Sequence, residues 1–159
     1  FTGFGGVLLY WSDEFGNVEY KHNVELARNN GLFVENIHTS FDIINDLWLD
    51  NLNGSGIAEY LLRCVDDCYE YEIPTMIVHI TSGEDPPIAN MLGINRIRQV
   101  TEKAEQRGVN VALENLRNIE NLECVFEYIN SGRLGFCFDS GHQNYRSKNI
   151  DLFLMYGDK

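Results

Sequence analysis

Short apolar runs alternate with longer stretches whose apolar residues recur at helical spacing, and this alternation continues from end to end of the chain. Val7–Trp11 reads as a first strand, followed by a polar loop, residues 12–17. Tyr20, Val24 and Ala27 predict a helix from about Val18 to Asn30, with Gly31 suited to the positive φ that ends it. Leu32–His38 is a second strand. A long excursion, residues 39–55, carries Trp48 and the turn-like Asn53-Gly54-Ser55-Gly56. From Ile57, a helix is marked by Tyr60, Leu61, Cys64, Val65, Cys68 and Tyr69, which share one face.

Pro74 precedes Thr75–Ile80, an apolar, β-branched run expected to be a buried strand. After a loop, Thr81–Asn90, a helix is expected over Ile94–Arg107, ended by Gly108. Asn110–Glu114 is the fourth strand. Leu122, Val125, Phe126 and Ile129 mark another helix, which Ser131-Gly132 breaks. Leu134–Phe138 is a fifth strand leading into Asp139, and a last helix is expected around Asn149–Tyr156.

Strands separated by helices predict an α/β fold with a parallel sheet, since crossovers place helices over strands that read as short apolar runs. An open doubly wound sheet suits 159 residues, whereas a closed (β/α)8 barrel takes roughly 200 to 250. Polar residues favour a partial TIM barrel. His38, His79, Glu114 and Asp139 each fall at or beside the C-terminal end of a different strand. A barrel gathers such positions around one mouth, and a flat sheet spreads them. No glycine-rich phosphate loop follows the first strand, so a dinucleotide or nucleoside triphosphate site has no support.

Composition narrows the function classes. The formal charge of −12, from 24 acidic against 12 basic residues, disfavours nucleic acid, whose binding draws on Lys and Arg neutralising phosphates. No apolar run is long enough to span a bilayer, so no membrane partner is expected. Cys64, Cys68, Cys124 and Cys137 show neither paired metal-binding spacing nor a dense disulfide framework, which points to reduced thiols and a cytoplasmic setting.

Val111-Ala112-Leu113-Glu114-Asn115, followed by Phe136-Cys137-Phe138-Asp139-Ser140-Gly141-His142, resembles the paired strand ends of the xylose-isomerase-like superfamily. That superfamily holds sugar and sugar-phosphate isomerases and epimerases together with the family 2 apurinic endonucleases. The resemblance covers nearly the whole chain and implies one incomplete barrel domain over residues 1–159, holding approximately strands two to six of eight. It implies that Glu114 and Asp139 are metal ligands. His142 resembles the substrate-binding histidine, a metal ligand in the endonucleases, and His38 and His79 resemble strand-end histidines of the endonuclease branch. A ligand histidine on the seventh strand and a glutamate on the eighth would lie outside this sequence.

This residue set suits a definite chemistry. A divalent ion held by carboxylate and imidazole stabilises the charge that develops when a proton leaves the carbon beside a carbonyl. Glu114 is the candidate catalytic proton acceptor, with its acid partner on the eighth strand. Mixed oxygen and nitrogen ligands suit Mn or Zn foremost, then Co or Mg. Asn115, as an amide that supports the ligands or binds substrate, and Trp11, as a stacking surface, are further substrate-binding candidates.

Each assignment has a plainer competitor. Glu114 is equally a solvated loop carboxylate, Asp139 a turn cap, His142 a loop histidine and His79 a packed core residue; Trp11 is explained by packing alone. The leading expectation is a metal-dependent sugar or sugar-phosphate isomerase or epimerase with a small-molecule substrate. The alternatives are an apurinic endonuclease-like phosphodiester hydrolase and a noncatalytic binding protein on the same scaffold. Because an incomplete barrel exposes sheet edges, the chain is expected to form a homo-oligomer or to belong to a longer polypeptide, inactive as an isomerase on its own.

Overall fold

The computed structural model describes residues 3–12 and 19–159. The chain order is β1 (Gly6–Trp11), α1 (Glu19–Asn29), β2 (Phe33–Thr39), a 3-10 turn (Ile44–Trp48), α2 (Leu52–Glu70) and β3 (Thr75–Val78). It continues through α3 (Met91–Arg107), β4 (Asn110–Glu114), α4 (Ile119–Tyr128), β5 (Leu134–Cys137), α5 (Ser140–Arg146) and α6 (Leu152–Tyr156). The loop over residues 13–17 and the expected helix start at Val18 lie outside the described residues.

The five strands form one sheet in the order β1-β2-β3-β4-β5, and every neighbouring pair is parallel. This order decides between the two architectures. In a doubly wound sheet the strand order reverses, which sends helices to both faces. Here each right-handed crossover steps the same way, so the crossover helices line one face and the other faces a barrel interior. The fold is a partial (β/α)8 barrel. No helix among the described residues is long and apolar enough to cross a membrane.

Strand alternation assigns the two faces. Ile37, Met76, Val78, Val111 and Leu113 are buried beneath helices that contribute Val24, Leu61, Val65, Ile97, Val100 and Val125 to the same core. On the opposite face Tyr10, His38, Ile77, Ala112 and Gly135 stand side by side in register, and Glu114 pairs with Cys137 in the row above. His79 follows β3 by one residue and continues its inner face. The outer face holds the fold together, and the inner rows carry the polar groups to the mouth.

One local reading is corrected by geometry. The Asn53-Gly54-Ser55-Gly56 segment is the first turn of α2, which begins at Leu52 rather than near Ile57. Asn51 starts it by accepting the Gly54 N–H at 2.7 Å, an N-cap that satisfies one of the helix's unpaired donors. Ser140-Gly141-His142 opens a short helix, α5, with Asp139 as its N-cap. By contrast, α3 ends as expected at Gly108, whose φ of 72° is the left-handed conformation glycine adopts without strain.

The loop between β2 and α2 is held from inside. Buried Arg96 of α3 donates to the carbonyls of Asp46, Leu47 and Leu49 at 3.3, 2.8 and 2.8 Å. Trp48 donates its indole N–H to Ile80 O at 2.6 Å, and its ring lies where a side chain on Gly93 would stand. A Cβ at Gly54 would meet Asp46 O at 2.2 Å and Leu49 O at 2.7 Å, whereas one at Gly56 would meet nothing within 4 Å. Gly54→Ala is therefore expected to lower stability by about 1–3 kcal/mol through overpacking. Gly56→Ala should raise it by about 0.5–1 kcal/mol, because alanine suits an open helix position better. Urea unfolding of both variants checks this, and midpoints moving the same way would contradict it.

Candidate metal centre

At the C-terminal ends of β2, β3 and β4 and the start of α5, three imidazoles surround one carboxylate. Glu114 is only 6% exposed. Its Oε2 accepts from His38 Nε2 at 3.0 Å and from His79 Nε2 at 2.9 Å, and its Oε1 lies 3.0 Å from His142 Nδ1. Burial alone would push this carboxyl up, but the hydrogen bonds from His38 and His79 outweigh it and hold Glu114 down at about 2. The side chain is an anion throughout the neutral range.

The ring nitrogens can be assigned from their neighbours. His142 Nδ1 is 3.0 Å from both the Asn115 carbonyl and Glu114 Oε1. Both are acceptors, so Nδ1 carries a proton, and in the neutral ring Nε2 keeps its lone pair. His38 has acceptors at both nitrogens, Thr39 O at 3.0 Å and Glu114 Oε2 at 3.0 Å. Its pKa is raised, first by the bond to Glu114 against the opposing effect of burial, then by the Thr39 carbonyl. When Nε2 gives up its proton, the Thr39 carbonyl still fixes Nδ1–H and leaves Nε2 free to ligate.

Among the described residues, two groups of side chains are disposed to hold a divalent cation, and they share Glu114. His38, His79 and Glu114 form one; Glu114, Asp139 and His142 form the other, with ligand atoms in each group all within 4.8 Å of one another. The donor set fits such an ion: an ionised carboxylate at the centre, with His38 and His142 held at Nδ1 by the Thr39 and Asn115 carbonyls. Cys137 pairs with Glu114 across β4 and β5. Burial, helped by the charges of Glu114 and Asp139, raises its thiol to about 11, so it offers no thiolate.

The structure brings His38, His79, Glu114, Asp139 and His142 together and gives the two other candidates different surroundings. Asn115 has no exposed surface. Its amide donates to Asp139 O at 2.9 Å and accepts from Asp139 N at 2.6 Å, imitating one more step of the β4–β5 ladder. It places Asp139, which in turn accepts the His142 N–H at 2.6 Å. Trp11 points into the helix-side core, also without exposed surface, donating to Asp67 Oδ2 at 2.9 Å and packing edge-on against Tyr20 and Tyr71. Alternation puts its neighbour Tyr10 on the inner face instead, stacked toward His38 with ring centroids 6.2 Å apart.

Phe41 went unnoticed in the sequence. Its ring stacks on His79 at 4.4 Å and 22°, and meets His38 edge-on at 5.7 Å. The available signal was its position just beyond a strand ending in histidine, too common a pattern to single it out.

The family model for the xylose isomerase-like TIM barrel matches residues 2–159. The chain belongs to this family. No curated protein matches the sequence itself. Among solved structures, D-allulose 3-epimerase from Methylomonas sp. in complex with D-allulose is similar at TM-score 0.79 and 15% identity, over 98% of this chain and 59% of that one. A D-tagatose 3-epimerase-like protein gives TM-score 0.68 and 19% identity, over 91% and 64%. The xylose isomerase domain protein from Planctomyces limnophilus gives 0.68 and 17%, over 87% and 54%. At such identities the likeness establishes the fold. This member of the xylose isomerase-like family spans between about half and two thirds of each matched structure.

Two outcomes follow from the electrostatics. Because Glu114 is depressed from 4.5 to about 2, its stabilising contribution is complete above pH 4.5 and is lost as pH falls toward 2, amounting to about 3 kcal/mol. Metal-free protein should lose that much more stability over this window than Glu114→Gln, measured by urea unfolding at each pH; parallel losses would refute the coupling. Divalent metal and proton compete at His38, whose pKa lies above 6.5. Metal affinity is therefore expected to rise with pH through that raised value, with proton release on binding. Calorimetric titration in buffers of different ionisation enthalpy measures the release, which His38→Ala should reduce.

Proposed function

We propose that the chain is part of a metal-dependent sugar or sugar-phosphate isomerase or epimerase that moves a proton beside a carbonyl. The observation that carries this reading is the ionised Glu114, set at the barrel mouth among three imidazoles with Asp139 in reach of the same point. The fold's likeness to sugar epimerases supports it. A bound divalent cation would supply electrophilic stabilisation of the substrate's carbonyl oxygen.

The side chains then divide the work. Asp139 and Glu114 would hold the cation, and His142, with its proton on Nδ1, keeps an Nε2 lone pair that would accept from a substrate hydroxyl. Glu114 is a poor base while His38 and His79 both donate to it. Its proton affinity rises as those donors are drawn away, so base strength depends on what occupies the two imidazoles. Epimerisation also needs an acid on the opposite side of the reacting carbon. By family resemblance that group is the eighth-strand glutamate, and the five strands alone are expected not to turn over.

A second reading has its own observation. The group formed by His38, His79 and Glu114 offers a second cation position adjoining the first, as expected of a hydrolase that activates water between paired ions. The net charge of −12 speaks against a polyanionic substrate.

The test is deuterium uptake from solvent at the carbon beside a ketose carbonyl, using metal-loaded protein with the barrel completed and a panel of pentoses, hexoses and their phosphates. Exchange is expected with at least one sugar. Glu114→Gln should slow it by about 10²- to 10⁴-fold, the usual scale for a lost general base. His142→Ala should act more on KM than on metal retention. Absence of exchange with every sugar, together with two or more bound ions and cleavage of an abasic DNA strand, would transfer the assignment to the hydrolase.

A further inference from the structure

Beside the metal centre, but outside it, lies a cavity of about 470 Å3 between the loop that follows β2 and the first half of α2. Its size falls within the range of small-molecule sites. Among the described residues, both walls come from one strand–loop–helix unit. The loop wall is fixed by the Arg96 and Trp48 hydrogen bonds and by Asn45, which exchanges two 2.8 Å hydrogen bonds with Ser82.

Phe41, Ile43, Ile44, Leu52, Ile57 and Tyr60 give the cavity its apolar lining. Phe41 is also the ring stacked on His79, so this side chain borders both the cavity and the centre. Nothing in the proton-transfer reading uses this space. The lining also includes Ser40, Asp42, Asn53 and Arg63, but Ser40 is bonded to Asp42, Asn53 to Asp46 and the Tyr60 hydroxyl to the Trp11 carbonyl, so methyl groups and ring surfaces are the main groups offered to an occupant. Two of the apolar side chains, Ile43 and Leu52, are 54% and 91% exposed and leave the pocket open to solvent.

We propose that this cavity is a subsite for an apolar substituent, a flat aromatic or short alkyl group, carried by the carbohydrate whose polar end reaches the Glu114 cluster. The proposal rests on the sugar-binding reading of that cluster. Phe41 is the shared wall, touching the substituent on one side and His79 on the other. Discrimination comes from desolvating the substituent, and burying a ring of this size gives about tenfold or more in affinity.

The full chain, with selectively labelled isoleucine and leucine methyl groups, is titrated with phenyl β-D-glucopyranoside and separately with methyl β-D-glucopyranoside. These probes differ only in the substituent. The phenyl compound is expected to bind about tenfold more tightly and to shift the methyl signals of Ile43, Ile44, Leu52 and Ile57. Ile43→Asp and Leu52→Asp, at exposed positions, should abolish that preference while leaving metal titration and thermal unfolding unchanged. Equal affinities, shifts confined to other residues, or a preference surviving both substitutions would overturn the subsite. The isomerase reading fails separately, through the deuterium assay; a phenyl preference without exchange would keep the subsite and remove the reaction.

Discussion

A buried carboxylate at the end of a parallel strand is tolerable only if something replaces the water it has lost, and in this chain three imidazoles do so. Glu114 has His38 and His79 on one oxygen and His142 on the other. Each arrives from a different β/α unit, so the bonds tie together the ends of β2, β3 and β4 and the start of α5. Removing the carboxylate would leave His38 holding only the Thr39 carbonyl and would loosen the mouth as a whole. The same arrangement makes the cluster ready for a cation, because a positive ion and the N–H groups of imidazoles answer one need: replacing the water lost by an anion held away from solvent.

Much of this was legible in the sequence because the signals were local. Short β-branched runs such as Thr75–Val78 and helix faces such as Ile94, Ile97, Val100 and Ala104 depend on neighbours a few residues away. Strand-end placement of Glu114 and Asp139 followed from the same periodicity, and family resemblance then gave them a chemical meaning. Sequence failed where a contact between distant segments overrides local preference. Asn53-Gly54-Ser55-Gly56 has turn composition, yet it is helical because Asn51 caps it and because Gly54 must lie against Asp46, Leu49 and Arg96.

The side chains at the mouth show the same limit more sharply. Tyr10 and Trp11 are adjacent, and only the register with β2 shows that Tyr10 shares the face of His38 while Trp11 joins the core. Asn115 resembles a substrate-binding amide in sequence. Its hydrogen bonds to both backbone groups of Asp139 fit the supporting role that the sequence equally allowed. Such distinctions lie in which way a residue faces, which a period of two specifies only after the strands are paired.

The contact between Trp48 and Gly93 restricts how this protein can change. The indole occupies the space of a side chain at position 93, and its N–H is tied to Ile80. Neither position can drift alone: a larger residue at 93 collides with the ring, and a smaller residue at 48 leaves a void beneath the loop. In evolutionary terms the two sites form a linked pair whose exchange requires simultaneous substitution.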